Sequence, residues 1–217
     1  MADQVDILMK IVDEHGPVIG ESQSVLTRGD DFVKGFEPGM FFDISDFDFD
    51  VSVRGDDGGG EPDDDDEKPR TGSDGKPIVA PKKKKKKGGN NFGQWLGGKS
   101  DGYPVDMQPF QFTKELDQTS PLLFYFCSNS ISLKSVTMVH RKAGGQKAVG
   151  QGYWGYLRID FTDVLLTSVS WDVADAIATE KVKFICREIK VQYRSQNPDG
   201  SMAEPIGVEW KFKSGLA

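Results

Sequence analysis

Histidine and cysteine are nearly missing from this chain, whose 217 residues contain two of each. That scarcity removes most routes to nucleophilic or metal-assisted chemistry. His15 lies in the turn-like Glu14-His15-Gly16-Pro17, and His140 stands beside Arg141; neither neighbours a nucleophile or a ligand motif. No CxxC pair or Cys/His cluster spaced for zinc occurs. Cys127 and Cys186 sit inside apolar stretches and read as buried free thiols, which behave as small hydrophobes. Gly150-Gln151-Gly152 has no following Walker lysine and reads as a turn. No catalytic residue, cofactor-binding residue or metal ligand is therefore expected. Long apolar runs are missing too, and nothing approaches the roughly 20 residues that a membrane helix needs. Met1-Ala2-Asp3-Gln4 lacks a basic start followed by an apolar stretch, so no Sec leader is expected.

What the chain does contain falls into two materials. The segment Gly55–Gly102 holds an acidic run, Asp63–Asp66, a basic run, Lys82–Lys87, and several glycine joints. Its ten acidic and ten basic residues balance, so the formal charge of −7 belongs to the flanking sequence. Such a segment cannot bury enough apolar area to offset its ordering entropy. It reads as a long loop insertion in one domain of residues 1–217, not as a second domain. Phe92, Trp95 and Leu96 give it its few apolar contacts. The Lys82–Lys87 run reads first as a solvated charge run. It could also dock on an acidic surface or give sequence-blind, salt-sensitive contact with nucleic acid. No aromatic-rich groove accompanies it for base stacking.

The flanking sequence is patterned for strands. Phe47, Phe49, Val51 and Val53 alternate with Asp46, Asp48, Asp50 and Ser52, which predicts a half-buried strand with an acidic outer face. A strand is expected over Ser135–Arg141, and one long bent strand or two strands over Tyr153–Val169. The alternation from Val182 onward changes face near Arg187, which suggests a bulge or a two-sided strand. Asn197-Pro198-Asp199-Gly200 is a strong turn signal. Ala174–Thr179 could form a helical turn.

The most telling stretch is Phe112-Thr113-Lys114-Glu115-Leu116-Asp117-Gln118-Thr119-Ser120-Pro121. Strand-like residues run straight into a helix start, with Ser120 as N-cap and Pro121 at the first helical position. The run Leu122–Cys127 then predicts a short helix buried on most of its circumference, with Leu122, Leu123, Phe124 and Phe126 in the core. The whole is mainly β: a barrel or sandwich with one short helix on its side.

In order and residue type this stretch, followed by the strand to Arg141 and Lys142-Ala143-Gly144-Gly145, resembles the haemolysin-coregulated protein (Hcp) family, the tube subunit of type VI secretion systems. Val5–Ile11 with Gly20-Glu21-Ser22 resembles the family's opening strand and turn. Leu157–Ser170 resembles its long central strand. Glu180–Tyr193, with Gln196 and Asp199-Gly200-Ser201, resembles its late strand and turn, and Trp210 falls in a plausible last strand. The departure is Gly55–Gly102, far longer than the family loop. The resemblance implies a two-sheet β-barrel with one flanking helix, assembled as hexameric rings that stack into a tube within a contractile sheath. Contraction would expel the tube with effector cargo. The implied partners are other copies of the chain, sheath and spike proteins, and cargo; membrane insertion and nucleic acid are not among them. The implied location is the bacterial cytoplasm during assembly and the outside after delivery. In such a ring Asp46, Asp48 and Asp50 would face the lumen, and Arg54, Phe92, Trp95 and Leu96 would belong to a ring-interface or stacking loop. The rival reading is a non-enzymatic binding module that uses Lys82–Lys87 on nucleic acid or an acidic partner.

Overall fold

The computed structural model describes residues 6–53, 105–143, 153–173 and 177–212. Eleven strands and one α-helix occur among them: β1 Asp6–Val12, β2 Phe42–Ile44, β3 Asp46–Asp48, β4 Val51–Val53, β5 Val105–Met107, β6 Phe110–Glu115, α1 Ser120–Ser128, β7 Ser132–Ala143, β8 Tyr153–Asp172, β9 Thr179–Ile185, β10 Glu188–Tyr193 and β11 Ile206–Lys211. All pairings are antiparallel.

Nine strands form one sheet along the path β2-β1-β7-β8-β9-β6-β3, with β10 on β8 and β11 on β10. The two ends of that path, β2 and β3, are separated in sequence by Ser45 alone. The sheet must therefore curl until its edges meet. Ser45 makes the join, its backbone N–H and its hydroxyl both donating to the Thr113 carbonyl. This gives the expected mainly-β barrel with a flanking helix. β4 and β5 form a separate two-stranded ribbon.

β8 organises the barrel. Its first half pairs with β10, Leu157–Thr162 opposite Glu188–Tyr193, and its second half pairs with β9, Leu165–Asp172 opposite Thr179–Ile185. Asp163, at the changeover, has the left-handed φ of 52° that lets one strand serve two partners. The face change near Arg187 is thus a jump from β9 to β10, not a bulge. The Ala174–Thr179 turn is corrected in part: Thr179 already belongs to β9, and residues 174–176 lie outside the described set.

Two apolar clusters hold the fold. The barrel interior contains Phe110, Phe112, Phe161, Phe184, Leu123 and Phe126 among others. Phe110, Phe161 and Phe184 meet at 4.7–5.3 Å between centroids, in edge-to-face and stacked arrangements. A smaller cluster lies on the opposite face of β1 and β7, where Leu8 and Val139 meet Phe32, Val33, Phe36 and Phe41. The connection from β1 to β2 therefore covers the barrel's outer wall instead of looping free.

Two helix expectations need correcting. Residues 120, 123 and 126 form the buried stripe, one position in three. Phe124 is 56% exposed and Leu122 42%, so the helix hides one side only and Phe124 is not core. Ser120 opens the helix but does not cap it. Thr119 is the cap residue, without a side-chain cap bond, while the Asp117 carboxylate accepts from the Thr119 N–H at 2.7 Å.

Candidate functional site

The acidic strand predicted over 47–53 is two strands. β3 lies on β6, and after a break at Phe49-Asp50 the chain enters the β4–β5 ribbon. Phe47 turns inward, 6.1 Å from Phe161 and 6.4 Å from Phe110. Period-two geometry then sends Asp46 and Asp48 outward, and both are exposed, as is Asp50. The three carboxylates thus form a solvated acidic ridge that runs from the barrel wall to the ribbon. Val53 and Val105 are Cα partners at the ribbon's end. Arg54, Phe92, Trp95, Leu96 and the Lys82–Lys87 run lie outside the described residues.

Beneath α1 lies a polar network that the sequence reading did not anticipate. Lys114 occupies the inward phase of β6 after Phe110 and Phe112, and Glu180 the inward phase of β9 before Val182 and Phe184. Lys114 Nζ donates to the Glu115 carbonyl at 2.9 Å, to Asp117 Oδ1 at 2.8 Å and to Ser120 Oγ at 3.1 Å. The Ser120 hydroxyl donates to Glu180 Oε2 at 2.8 Å and accepts from the Asp117 N–H. Trp171 Nε1 donates to Glu180 Oε1 at 2.7 Å. Every ammonium proton has an acceptor and both Glu180 oxygens have a donor, which is the condition under which a buried charge pair is tolerated. Ser120 thus serves as the junction between the helix and this ion pair.

Three arginines hold the β1–β2 connection down. Arg194, with its guanidinium 4.2 Å from the Phe32 ring centroid, donates to the buried Asp30 carboxylate and, through Nε, to the Gly155 carbonyl at 2.6 Å. Asp30 Oδ2 accepts from the Gly155 N–H at 2.8 Å. Arg158 donates to the Phe32 carbonyl and to Asp160. Arg141 grips Asp6 and donates to the Val25 carbonyl at 2.9 Å. The planar fork of arginine suits such two-sided contacts better than lysine.

Little of this can do covalent chemistry. His140 accepts or donates a 2.8 Å hydrogen bond at Nδ1 with the Tyr156 hydroxyl, and burial lowers its pKa against the opposing pull of Asp6. His15 is exposed in its turn. Burial pushes the Cys186 thiol up to about 12, far from a reactive thiolate. No group of three or more metal-ligating side chains gathers among the described residues.

Among the described residues, two exposed apolar areas stand out. One is the outer side of α1, where Phe124 meets Trp171 at 5.9 Å. The other is β11, exposed at all six positions. Isoleucine, valine and tryptophan left in water on an edge strand fit an interaction surface better than a site of chemistry.

Comparison with known proteins points the same way. A family model described as type VI secretion system effector, Hcp, matches residues 88–193. Protein hcp1 of Pseudomonas aeruginosa is 30% identical over 115 residues, which cover 52% of this chain and 68% of that protein. A solved type six secretion system protein superposes with a TM-score of 0.58 at 14% identity, covering 96% of both chains. Hcp1 from Salmonella typhimurium superposes with a TM-score of 0.53 at 18% identity, covering 96% of this chain and 95% of that one.

Proposed function

This chain belongs to the Hcp family of type VI secretion proteins, and from that membership we propose that it is a structural tube subunit. Copies assemble as hexameric rings, the rings stack within a contractile sheath, and contraction expels the tube together with effector cargo. The observation that carries this reading is the relationship to hcp1, which spans 68% of that protein. The exposed apolar areas on α1 and β11 support it, because a subunit needs weak, repeated contacts and no reacting group. In this reading Asp46, Asp48 and Asp50 line the lumen and favour basic cargo. Assembly takes place in the bacterial cytoplasm and the tube is delivered outside the cell.

The test is the mass and shape of the purified protein. Native mass spectrometry and negative-stain microscopy are expected to show rings of six copies. A protein that stays monomeric at the concentrations where tubes form overturns the tube reading.

A further inference from the structure

The outward face shared by β3, β6, β9 and the second half of β8 carries two charged columns. The ladders align Asp48, Gln111, Lys183 and Ser168 in one row and Asp46, Thr113, Lys181 and Ser170 in the next. Directly opposed residues share a face. β3 therefore contributes an acidic column, which Asp50 prolongs toward the ribbon, and β9 contributes a basic one. β6 separates them with an amide and a hydroxyl. Two strand spacings put about 10 Å between the columns, too far for an ion pair.

Elsewhere on the barrel, outward charges meet: Arg158 with Asp160, Arg187 with Asp163 and Lys211 with Glu188. Asp46, Asp48, Asp50, Lys181 and Lys183 are all exposed. None of the five makes an ion pair among the described residues. The two rows hold no apolar side chain, so an apolar partner has nothing to grip. A concavity of about 410 Å³ opens beside the basic column, with Thr113, Ser170, Thr179 and Lys181 in its lining.

We propose that this face is the docking surface for the chain's own segment 63–87, with Lys82–Lys87 over Asp46, Asp48 and Asp50, and Asp63–Asp66 over Lys181 and Lys183. Both runs lie between Val53 and Val105, where the acidic ridge ends. Their signs match the face column by column. A foreign basic partner would satisfy the acidic column only, and nucleic acid would be repelled by it. Reach permits the contact. Residues 88–104 span about 55 Å when extended, against roughly 25 Å from Asp46 to Val53 at strand rise. Residues 54–65 bring Asp66 about 40 Å from Val53, while Lys183 stands at most about 27 Å away along the strand and across two spacings. Exposed ion pairs are weak singly. The tether makes the contact intramolecular, with an effective concentration on the order of millimolar, and several pairs form together. The docking belongs to the single chain and does not rest on ring assembly. Where the ridge also receives basic cargo, the segment competes for it.

The experiment treats the full chain, as a mixture of isotope-labelled and unlabelled protein, with a water-soluble carbodiimide. The reagent joins a lysine amine to a carboxylate as an amide and takes up the water released. Expected are same-isotope links from Lys82–Lys87 to Asp46, Asp48 or Asp50, and from Lys181 or Lys183 to Asp63–Asp66. They should be several-fold fewer at about 1 M salt than at about 0.01 M, where the screening lengths are roughly 3 Å and 30 Å. Mixed-isotope links at these sites overturn the proposal and assign the contact to a second copy. Links confined to the two runs also overturn it, since the runs then satisfy each other. Trypsin gives a second reading. At low salt it should cut within Lys82–Lys87 several-fold faster in the triple variant Asp46→Asn, Asp48→Asn, Asp50→Asn than in the wild type, and equal rates overturn the docking. If the variant does not fold, the wild-type cross-links decide alone. Same-isotope links in a protein that never forms rings support the docking and overturn the tube reading only.

Discussion

Lys114 and Glu180 stand directly opposite one another in the β6–β9 ladder, with both side chains completely removed from solvent and their charges 3.3 Å apart. Ser120 bonds to both, so the first residue of α1 is tied to the pair that locks two strands. A buried pair of this kind contributes little relative to a well-packed apolar pair. Breaking it from one side is costly, because a lone charge is left in the core.

Lys114→Met or Glu180→Leu alone should therefore lower stability by about 3–5 kcal/mol, and the double variant by much less. Urea midpoints of the three proteins check this. Additive losses in the double variant would show that the charges are independently solvated.

The helix makes opposite demands on two phenylalanines. Phe126→Ala should cost about 3–5 kcal/mol, since that side chain is buried in the barrel core. Phe124→Ala should fall within about 0.5 kcal/mol in the single chain, as exposed substitutions do. Ser120→Ala should cost about 1–3 kcal/mol by orphaning buried partners, more than the loss of an ordinary helix cap. The same denaturation series reads all three, and equal losses at both phenylalanines would contradict the one-sided helix.

Gly155 is where the β1–β2 connection touches the sheet. A Cβ there would sit 2.7 Å from Phe32 Cβ and 2.9 Å from Val139 Cγ1. Gly155→Ala should destabilise the protein by about 1–3 kcal/mol through overpacking. It should also speed amide exchange across residues 30–36, because the Asp30 and Arg194 contacts to the Gly155 backbone must shift. Protection unchanged in that segment would separate the connection from the sheet.

Replacing 55–102 with a short Gly/Ser linker should leave a folded protein that still forms single rings. Val53 and Val105 are paired neighbours, so the chain leaves and returns at one place, and closure entropy grows only logarithmically with length. Tubes from that variant should be shorter or less salt-sensitive. Circular dichroism and microscopy check both parts; an unfolded product would contradict the loop assignment.

Changing Asp46, Asp48 and Asp50 together to Asn should leave folding and ring assembly intact. Retention of basic cargo should weaken, most at low salt, where exposed charges are least screened. Failure to assemble would place the ridge in an interface, and labelling of the outer wall of intact rings would end the lumen assignment.

Much of the fold was legible because it is written in local alternation and turn chemistry. Asn197-Pro198-Asp199-Gly200 closes its turn with a 2.9 Å bond from the Gly200 N–H to the Asn197 carbonyl, as its residue types require. Pro121 marks the start of α1, and the phase of Phe47 against Asp46 and Asp48 fixes which side is wet. The same alternation also put Lys114 in phase with Phe110 and Phe112, and Glu180 in phase with Val182 and Phe184. Each charge by itself reads as a break in an apolar face.

Only strand register brings those two breaks opposite one another, and register is a long-range property that no single segment contains. The same holds for Asp30 and Arg194, 164 residues apart. The exposure of Phe124 was hidden for a related reason: a continuous apolar run states how much could be buried, not how many sides of the helix find a neighbour. Sequence by itself determined the strands, the turns, the helix and the family, because these follow from side-chain periodicity and order along the chain. The tertiary structure decided which charges are buried together, where β8 changes partner, and that β11 carries an apolar face that no described residue covers, because each depends on which distant strands meet.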